Sequence, residues 1–410
     1  MNDIKFYFYD FIPVKFELTE DDREQVLKEF PTPILPTGEE IFNINEFEKG
    51  INVKLRLLLN DFNIESTKTN KQYLKIRFSN NFGSINAKLW DNQNAVENTI
   101  PLLEEFSIFD VEARIEDYRG HKSLTINKMK PCEEDINPFT FLAYTKQNIE
   151  DFTVELFSYI NELEQPFKDI SLAAMKRFWD QFSIRPAAKG FHHNYLGGLL
   201  KHTVGLMRFA RFILKQEDNH YQAIIKLINV VEKAHKKDIW NQLQSESINP
   251  QHIVWKDTID HLYTMLYGAM QHRSSAPNYD LVFTSILFHD IGKLLEYDHA
   301  GKKFEEFKFL FPTADHSNIE NRKQTGIIMD ELGVMIGHIP YGVLILSKII
   351  ETENIRISLE DIHHISHCIL CHHGLPEWGA CVRNPQTIEG YIIHIVDFLD
   401  SRYENTEELK

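Results

Sequence analysis

The chain sets an imidazole beside a carboxylate inside an oily run: Val282, Phe283, Ile286, Leu287 and Phe288 precede His289-Asp290, and Ile291, Leu294 and Leu295 follow. Burying even one neutral polar group without partners costs on the order of 2–7 kcal/mol. A divalent cation would satisfy both groups at once. Comparable settings recur along the chain. His202 closes the block His192-His193-Asn194-Tyr195-Leu196-Gly197-Gly198-Leu199-Leu200-Lys201-His202, and His338 sits in Gly337-His338-Ile339. His372 and His373 end His367-Cys368-Ile369-Leu370-Cys371-His372-His373, and Asp397 lies among Ile393, Ile395, Val396, Phe398 and Leu399. Any one of the 19 histidines reads by itself as an ordinary helix residue. The ordered set on successive apolar helices does not.

The chemistry wants this mixture. Neutral imidazoles and carboxylates bind Mn²⁺, Fe²⁺, Co²⁺, Ni²⁺ or Zn²⁺, and one carboxylate can bridge two such ions. Two ions about 3.5–4 Å apart would hold a hydroxide and clamp a phosphate for in-line attack. Lys293, one helical turn past Asp290, is placed to meet charge developing on phosphate oxygens, although a solvated lysine fits that spacing equally well. Asp290 and Lys293 are the expected catalytic residues. Two divalent ions per chain are expected, Mn²⁺ first, with Co, Fe, Ni or Zn admissible. Cys368-x-x-Cys371 lacks the second pair of a structural zinc site, so both cysteines are expected as small helix residues. His220, His235, His252, His261 and His272 fall in a polar helical stretch and are expected in solvent.

The elements that must carry these residues follow from periodicity. Residues 1–48 give weak strand signals at Phe6–Phe11 and an acidic helix around Glu20–Glu29, then a proline-rich connector. From about residue 50 the period is two: Leu74, Ile76 and Phe78 alternate with Tyr73, Lys75 and Arg77, and Ile85, Ala87 and Leu89 alternate with Lys88 and Trp90. A further hairpin runs through Val111–Ile115 and Leu124–Ile126, so a small β-barrel is expected over 49–135. Beyond Pro138 the period becomes helical and stays so, with a loop or short hairpin expected at about 298–318. The predicted class is α+β: a small barrel, then an all-α domain over 136–410 that carries the chemistry, with a helical insertion at about 215–275.

Composition narrows the setting. At 410 residues, 43% apolar and 25% charged, the chain suits a globular protein of two or three domains. It has no apolar run long enough for a membrane helix, so no membrane partner is expected. Four cysteines are too few and too uneven for a disulfide scaffold, and a reducing cytoplasm is the expected location. A net charge of −16 argues against coating nucleic acid by bulk attraction. Residues 49–130, however, hold 13 Lys/Arg against 10 Asp/Glu, a slightly basic module on an acidic body.

His202, His289-Asp290 and Asp397 together resemble the HD superfamily of metal-dependent phosphohydrolases. The closer similarity is to the YhaM-type 3′-5′ exoribonucleases, carried by Arg185-Pro186-Ala187-Ala188 through Thr203, Leu287 through Leu294, Ile336 through Ile339, His367 through Gly379, and Pro385 through Asp400. That family has an OB-fold before its HD domain, and residues 50–130, with Gly83-Ser84-Ile85-Asn86-Ala87-Lys88-Leu89-Trp90-Asp91, look like that OB-fold. The resemblance implies His202, His289, Asp290 and Asp397 around one metal, and His338, His372 and His373 around a second, bridged by Asp290. It also implies His192 and His193 near the substrate phosphate, and His367 behind the ligands. The stretches 215–275 and 296–335 are longer than the family's spacing, which leaves room for a cap or a homo-oligomer interface.

The expected activity is metal-dependent degradation of single-stranded nucleic acid, RNA from the 3′ end being favoured. Tyr73, Lys75, Arg77, Lys88 and Trp90 share the outward face of the barrel strands and form an aromatic and basic mixture suited to stacked bases and phosphates. The histidine block also resembles HD-type relaxases, which handle DNA of mobile elements. A nucleotide or cyclic dinucleotide phosphohydrolase is a further alternative, as is a non-catalytic nucleic-acid-binding protein.

Overall fold

In the computed structural model, the structure describes residues 5–16, 18–36, 42–67, 69–118, 120–189, 193–217, 219–245, 255–320, 322, 326–376 and 382–403. The chain opens with a two-stranded ribbon, β1 (Phe6–Tyr7) and β2 (Ile12–Pro13), and a helix α1 (Glu20–Glu29). Thr19 caps α1 by accepting from the Asp22 amide, and Asp22 answers the Thr19 amide, a reciprocal capping box. Tyr7, Phe8, Ile12, Val26 and Phe30 are buried in the core of the helical region, so this segment packs on the helices rather than standing apart from them.

The next strands are β3 (Asn52–Ser66), β4 (Gln72–Asn80), β5 (Gly83–Trp90), β6 (Ile108–Tyr118) and β7 (His121–Pro131), with a helix α2 (Ala95–Glu105) between β5 and β6. They close into a barrel in the order β3-β4-β5-β7-β6. Only β5 and β7 run parallel, at Ala87 and Leu124; the other pairs are antiparallel. A register shift between Leu59 and Asp61 lets the long β3 turn from β6 to β4 and close the barrel. Alternation fills the interior with Leu74, Ile76, Phe78, Ile85, Ala87, Val111, Ile115 and Leu124. A five-stranded Greek-key barrel of this order is the OB architecture.

Helices α3 (Ile149–Asn161), α4 (Phe167–Phe182), α5 (Gly198–Arg211), α6 (His220–Gln244), α7 (Trp255–Met270), α8 (Tyr279–His289) and α9 (Lys293–Glu296) follow. After β8 (Tyr297–Asp298) come α10 (Glu305–Leu310), α11 (Ser317–Glu320), β9 (Ile328–Met329), α12 (Gly333–Ile336), α13 (His338–Thr352), α14 (Leu359–Cys371) and α15 (Ile388–Tyr403). The class is therefore α+β, with the barrel first. Two sequence expectations change. The stretch 298–318 is not a local hairpin: Tyr297 and Asp298 pair with Met329 and Ile328, and residues 305–310 are helical. Of the histidines expected in solvent, His220, His235 and His272 are half-buried and His261 is buried. His261 lies on the inner side of α7 with Ile259, Leu262, Met265 and Leu266, and its Nε2 is 2.7 Å from Nε2 of His394. His252 lies outside the described residues.

The barrel rests on the helical region through Leu58, Ile108 and Cys132, which meet Phe141, Leu142, Leu196 and Ile327. Polar contacts fix the docking. The Asn81 side-chain amide donates to the Leu142 carbonyl at 2.9 Å, and the Gly326 amide donates to the Leu59 carbonyl at 3.3 Å.

Candidate metal centre

Helix α8 is buried from Leu281 to His289 and mostly apolar all round, as a helix inside a bundle must be. Asn278 caps its start by accepting from the Leu281 amide. It ends at His289, with Asp290 as the cap, so the adjacent pair sits where the helix carbonyls point outward. His372 likewise follows the last residue of α14. Two helix C-termini meeting at one place favour a bound cation. His338 opens α13, Asp397 lies midway along α15, and His202 lies on the second turn of α5. The entry to α5 is as tight as its two glycines suggest: Gly197 has φ +81°, and a Cβ on Gly198 would lie 2.3 Å from the His193 carbonyl oxygen. Gly292 plays the same part after Asp290, for a Cβ there would come within 1.9 Å of the His338 carbonyl oxygen.

These elements bring the predicted residues into two abutting donor sets. Asp290, His338, His372 and His373 form one, and His202, His289 and Asp397 the other; within each set the ligand atoms lie within 4.8 Å of one another. Asp290 joins them. Its Oδ1 lies 3.6 Å from His338 Nε2 and 3.8 Å from His372 Nε2. Its Oδ2 lies 3.3 Å from His289 Nε2 and 3.5 Å from His202 Nε2. Asp290 Oδ1, His338 Nε2 and His372 Nε2 are all buried without a hydrogen-bond partner among the described residues. Three such atoms facing one another would be costly in a finished core. They are what a cation site requires, so the residues fit a divalent metal.

A layer behind the two donor sets orients four of the histidines. His289 Nδ1 donates to the Ile286 carbonyl at 2.6 Å, and His372 Nδ1 to the Ile369 carbonyl at 2.7 Å. Carbonyls only accept, so both rings keep the Nε2 lone pair for the site. His338 Nδ1 is 2.6 Å from Glu296 Oε2, and His202 Nδ1 is 2.6 Å from Asp400 Oδ2. Carboxylates in this position orient the ring and raise its basicity as a ligand.

Charge follows the same plan. Burial alone would raise Asp290 and Asp397, but Lys293 beside the first, and His202 beside the second, hold both carboxyls well below the usual range. Burial, with His373 and His289 alongside, keeps His372 neutral, and burial pushes His373 down to about 4. His202 goes the other way. Burial opposes its charge, but Asp397 and Asp400 outweigh that and raise it to about 10. Lys293 lies buried with Nζ 2.5 Å from Asp290 Oδ2, and that carboxylate outweighs burial and keeps it charged.

Not every expected residue lines the site. His192 lies outside the described residues. His193 faces away from where a phosphate would sit: its Nε2 is 2.8 Å from Asp400 Oδ2 and its Nδ1 3.0 Å from the Tyr195 hydroxyl, which places it behind His202. His193, His202 and Asp400 are near enough to surround an ion, yet hydrogen bonds already join them. His367 accepts from the Gln386 amide at 3.0 Å. Cys368 and Cys371 are buried helix residues. Glu296 and Asp400 were missed by sequence reasoning; each lies one turn from a noted residue, Lys293 and Asp397.

On the barrel, Tyr73 pairs across β4–β5 with Trp90, and Lys75 with Lys88, so the expected outward face exists. The Tyr73 and Trp90 rings lie 5.2 Å apart, with Lys88 over Tyr73 and Lys71 over Trp90. Part of its positive charge is spent on β3: Lys75 bridges to Glu65 at 3.1 Å, and Arg77 to Asp61.

Comparison with known proteins places the chain among relatives. Residues 258–402 match the HD domain family, a span that includes every proposed ligand except His202. The 3′-5′ exoribonuclease YhaM of Listeria welshimeri is 24% identical over 360 residues, covering 87% of each chain. That of Geobacillus sp. is 24% identical over 362 residues, 88% of this chain and 85% of its own. The second OB-fold domain of replication protein A from Methanococcus maripaludis aligns with 23% of this chain and 97% of its own, at 13% identity and a TM-score of 0.17. That score is too low to bear on the barrel, whose architecture rests on its strand order. The chain carries an HD domain and is similar along most of its length to the YhaM exoribonucleases.

Proposed function

We propose that this protein is a metal-dependent phosphodiesterase that degrades single-stranded RNA from the 3′ end with two divalent ions. The observation that carries the reading is Asp290, whose two oxygens face two separate histidine-rich donor sets, with a buried charged Lys293 on the second oxygen. Asp290, His338, His372 and His373 would hold one ion, and His202, His289, Asp397 and the shared Asp290 the other. Divalent ions bound there supply Lewis acidity, acidifying water and neutralising phosphate oxygens.

The chain's own residues do the rest. Lys293 stays protonated and offers its charge to a phosphate that approaches Asp290. Asp397, with a side chain 14% exposed, and His373 are the more accessible members and mark the open side of the site. Residues 49–135 would grip the strand, with Tyr73, Trp90 and Lys88 supplying stacking and charge without sequence preference, while residues 136–410 carry the chemistry. The similarity to YhaM supports an RNA substrate and the 3′-to-5′ direction.

The test is hydrolysis of 5′-labelled single-stranded RNA with Mn²⁺, with EDTA, and by Asp290→Ala. A ladder that shortens from the 3′ end, lost with EDTA and in the variant, is the expected result. Full activity of Asp290→Ala would sink the metal assignment. Cleavage of single-stranded DNA or free nucleotides in place of RNA would move the substrate and leave the centre standing.

A further inference from the structure

The ribbon β1–β2 carries no sequence signal for chemistry, yet it reaches the back of the metal centre. The Tyr7 hydroxyl donates to Asp400 Oδ1. The other oxygen of Asp400 receives both His202 Nδ1 and His193 Nε2, at 2.6 and 2.8 Å. This carboxylate is 1% exposed, and both of its oxygens are held in place.

The seat for Tyr7 is built by other elements. A Cβ on Gly205 of α5 would lie 2.2 Å from Asp400 Oδ1 and 2.7 Å from the Tyr7 hydroxyl, so glycine there is what leaves room for the contact. The Tyr7 ring packs edge-on against Phe209 at 5.2 Å and under the Arg208 guanidinium at 4.9 Å. Arg208 is itself fixed by two hydrogen bonds to Glu155. Beside it, Phe8 packs on Phe209 and Phe11 on Phe212.

We propose that Tyr7 is a positioning residue of the metal centre, acting on His202 through Asp400, and that the N-terminal ribbon is therefore a working part of the site. The inference rests on the reading that His202, His289 and Asp397 hold a metal. His202 serves that set only if its ring is held at one angle and its Nδ1 proton stays on the Asp400 side. A carboxylate anchored at one oxygen alone can turn about its Cβ–Cγ bond and carry the imidazole with it. Tyr7 anchors the other oxygen. Outer partners of metal-bound histidines typically change metal affinity by about 10–100-fold when removed.

Mn²⁺ titration calorimetry on the full chain tests this with Tyr7→Phe, which keeps the ring and deletes the hydroxyl. Two binding steps in the wild type, one of them weakened about 10- to 100-fold in Tyr7→Phe while the other is unchanged, is the expected result. Gly205→Ala, which wedges the same contact apart from α5, should weaken the same step. Phe8→Leu, which loosens ribbon packing and keeps the hydroxyl, should weaken neither. Unchanged affinities in Tyr7→Phe, or an equal loss in Phe8→Leu, overturn the role of Tyr7 and leave the metal centre intact. A wild type that binds no Mn²⁺ overturns the metal reading and this inference with it.

Discussion

Nδ1 of His338 lies 2.6 Å from Oε2 of Glu296, which binds the first residue of α13 to the last residue of α9. Burial would raise Glu296, but His338 holds it below its ordinary value, so it meets the ring as a carboxylate. Glu296→Gln should weaken the ion held by His338, His372 and His373 by about 10–100-fold. The amide can present NH₂ to Nδ1, and the ring then carries its proton on Nε2, where it blocks ligation. Mn²⁺ titration of the variant measures this; equal affinity would mean that the carboxylate is a bystander.

Glu296 also shows what a sequence hides. The proposed ligands His202, His289, Asp290, His338, His372 and Asp397 are legible because each is a polar residue in an apolar helical run. Glu296 and Asp400 are acids in a chain with 60 of them. Only their one-turn spacing from Lys293 and Asp397 set them apart. His193 went behind His202 because the chain reverses at φ +54° there and the Ala187 amide donates to its carbonyl. His261 was lost in the average polarity of its stretch, although Ile259, Leu262, Met265 and Leu266 mark an inner face on α7. The barrel was the easy part, since a period of two on both sides of Asn80-Asn81 leaves few other folds.

Asp290→Asn should remove more than one ligand. It leaves Lys293 buried and charged without its carboxylate, and breaking a buried pair in this way costs about 3–5 kcal/mol. The variant should lose at least about 100-fold in kcat and also melt at a lower temperature. Adding Lys293→Met should restore the melting temperature without restoring activity. Recovery of both by the double variant would show that the pair was structural alone.

Metal binding should release protons. His202 is raised to about 10 by Asp397 and Asp400 against the opposing effect of burial. Below that pH its Nε2 carries a proton that an ion must displace, so affinity at the His202 set rises as pH rises, about tenfold per unit, and levels off above it. Calorimetry at pH 7 in buffers of different ionisation enthalpy should report close to one proton released for the ion at this set. Binding heats that do not depend on the buffer would contradict the assignment of His202 as a ligand.

If the barrel face grips the strand as proposed, grip and cleavage should separate by mutation. Lys75 and Arg77 already face Glu65 and Asp61, whereas Lys88 lies over the Tyr73 ring and closes no ion pair within 4 Å among the described residues. Of Lys75, Arg77 and Lys88, Lys88 is therefore the cation left for a phosphate. Lys88→Ala should weaken single-stranded RNA binding and reduce the slope of log affinity against log salt by about 0.7, one phosphate contact. Trp90→Ala should cost about 1–3 kcal/mol of stacking and leave that slope unchanged. Neither variant should alter kcat on a dinucleotide, because the metal centre is untouched. Fluorescence anisotropy across a salt series reads both effects, and wild-type affinity and slope in both variants would place the RNA track on another face of the protein.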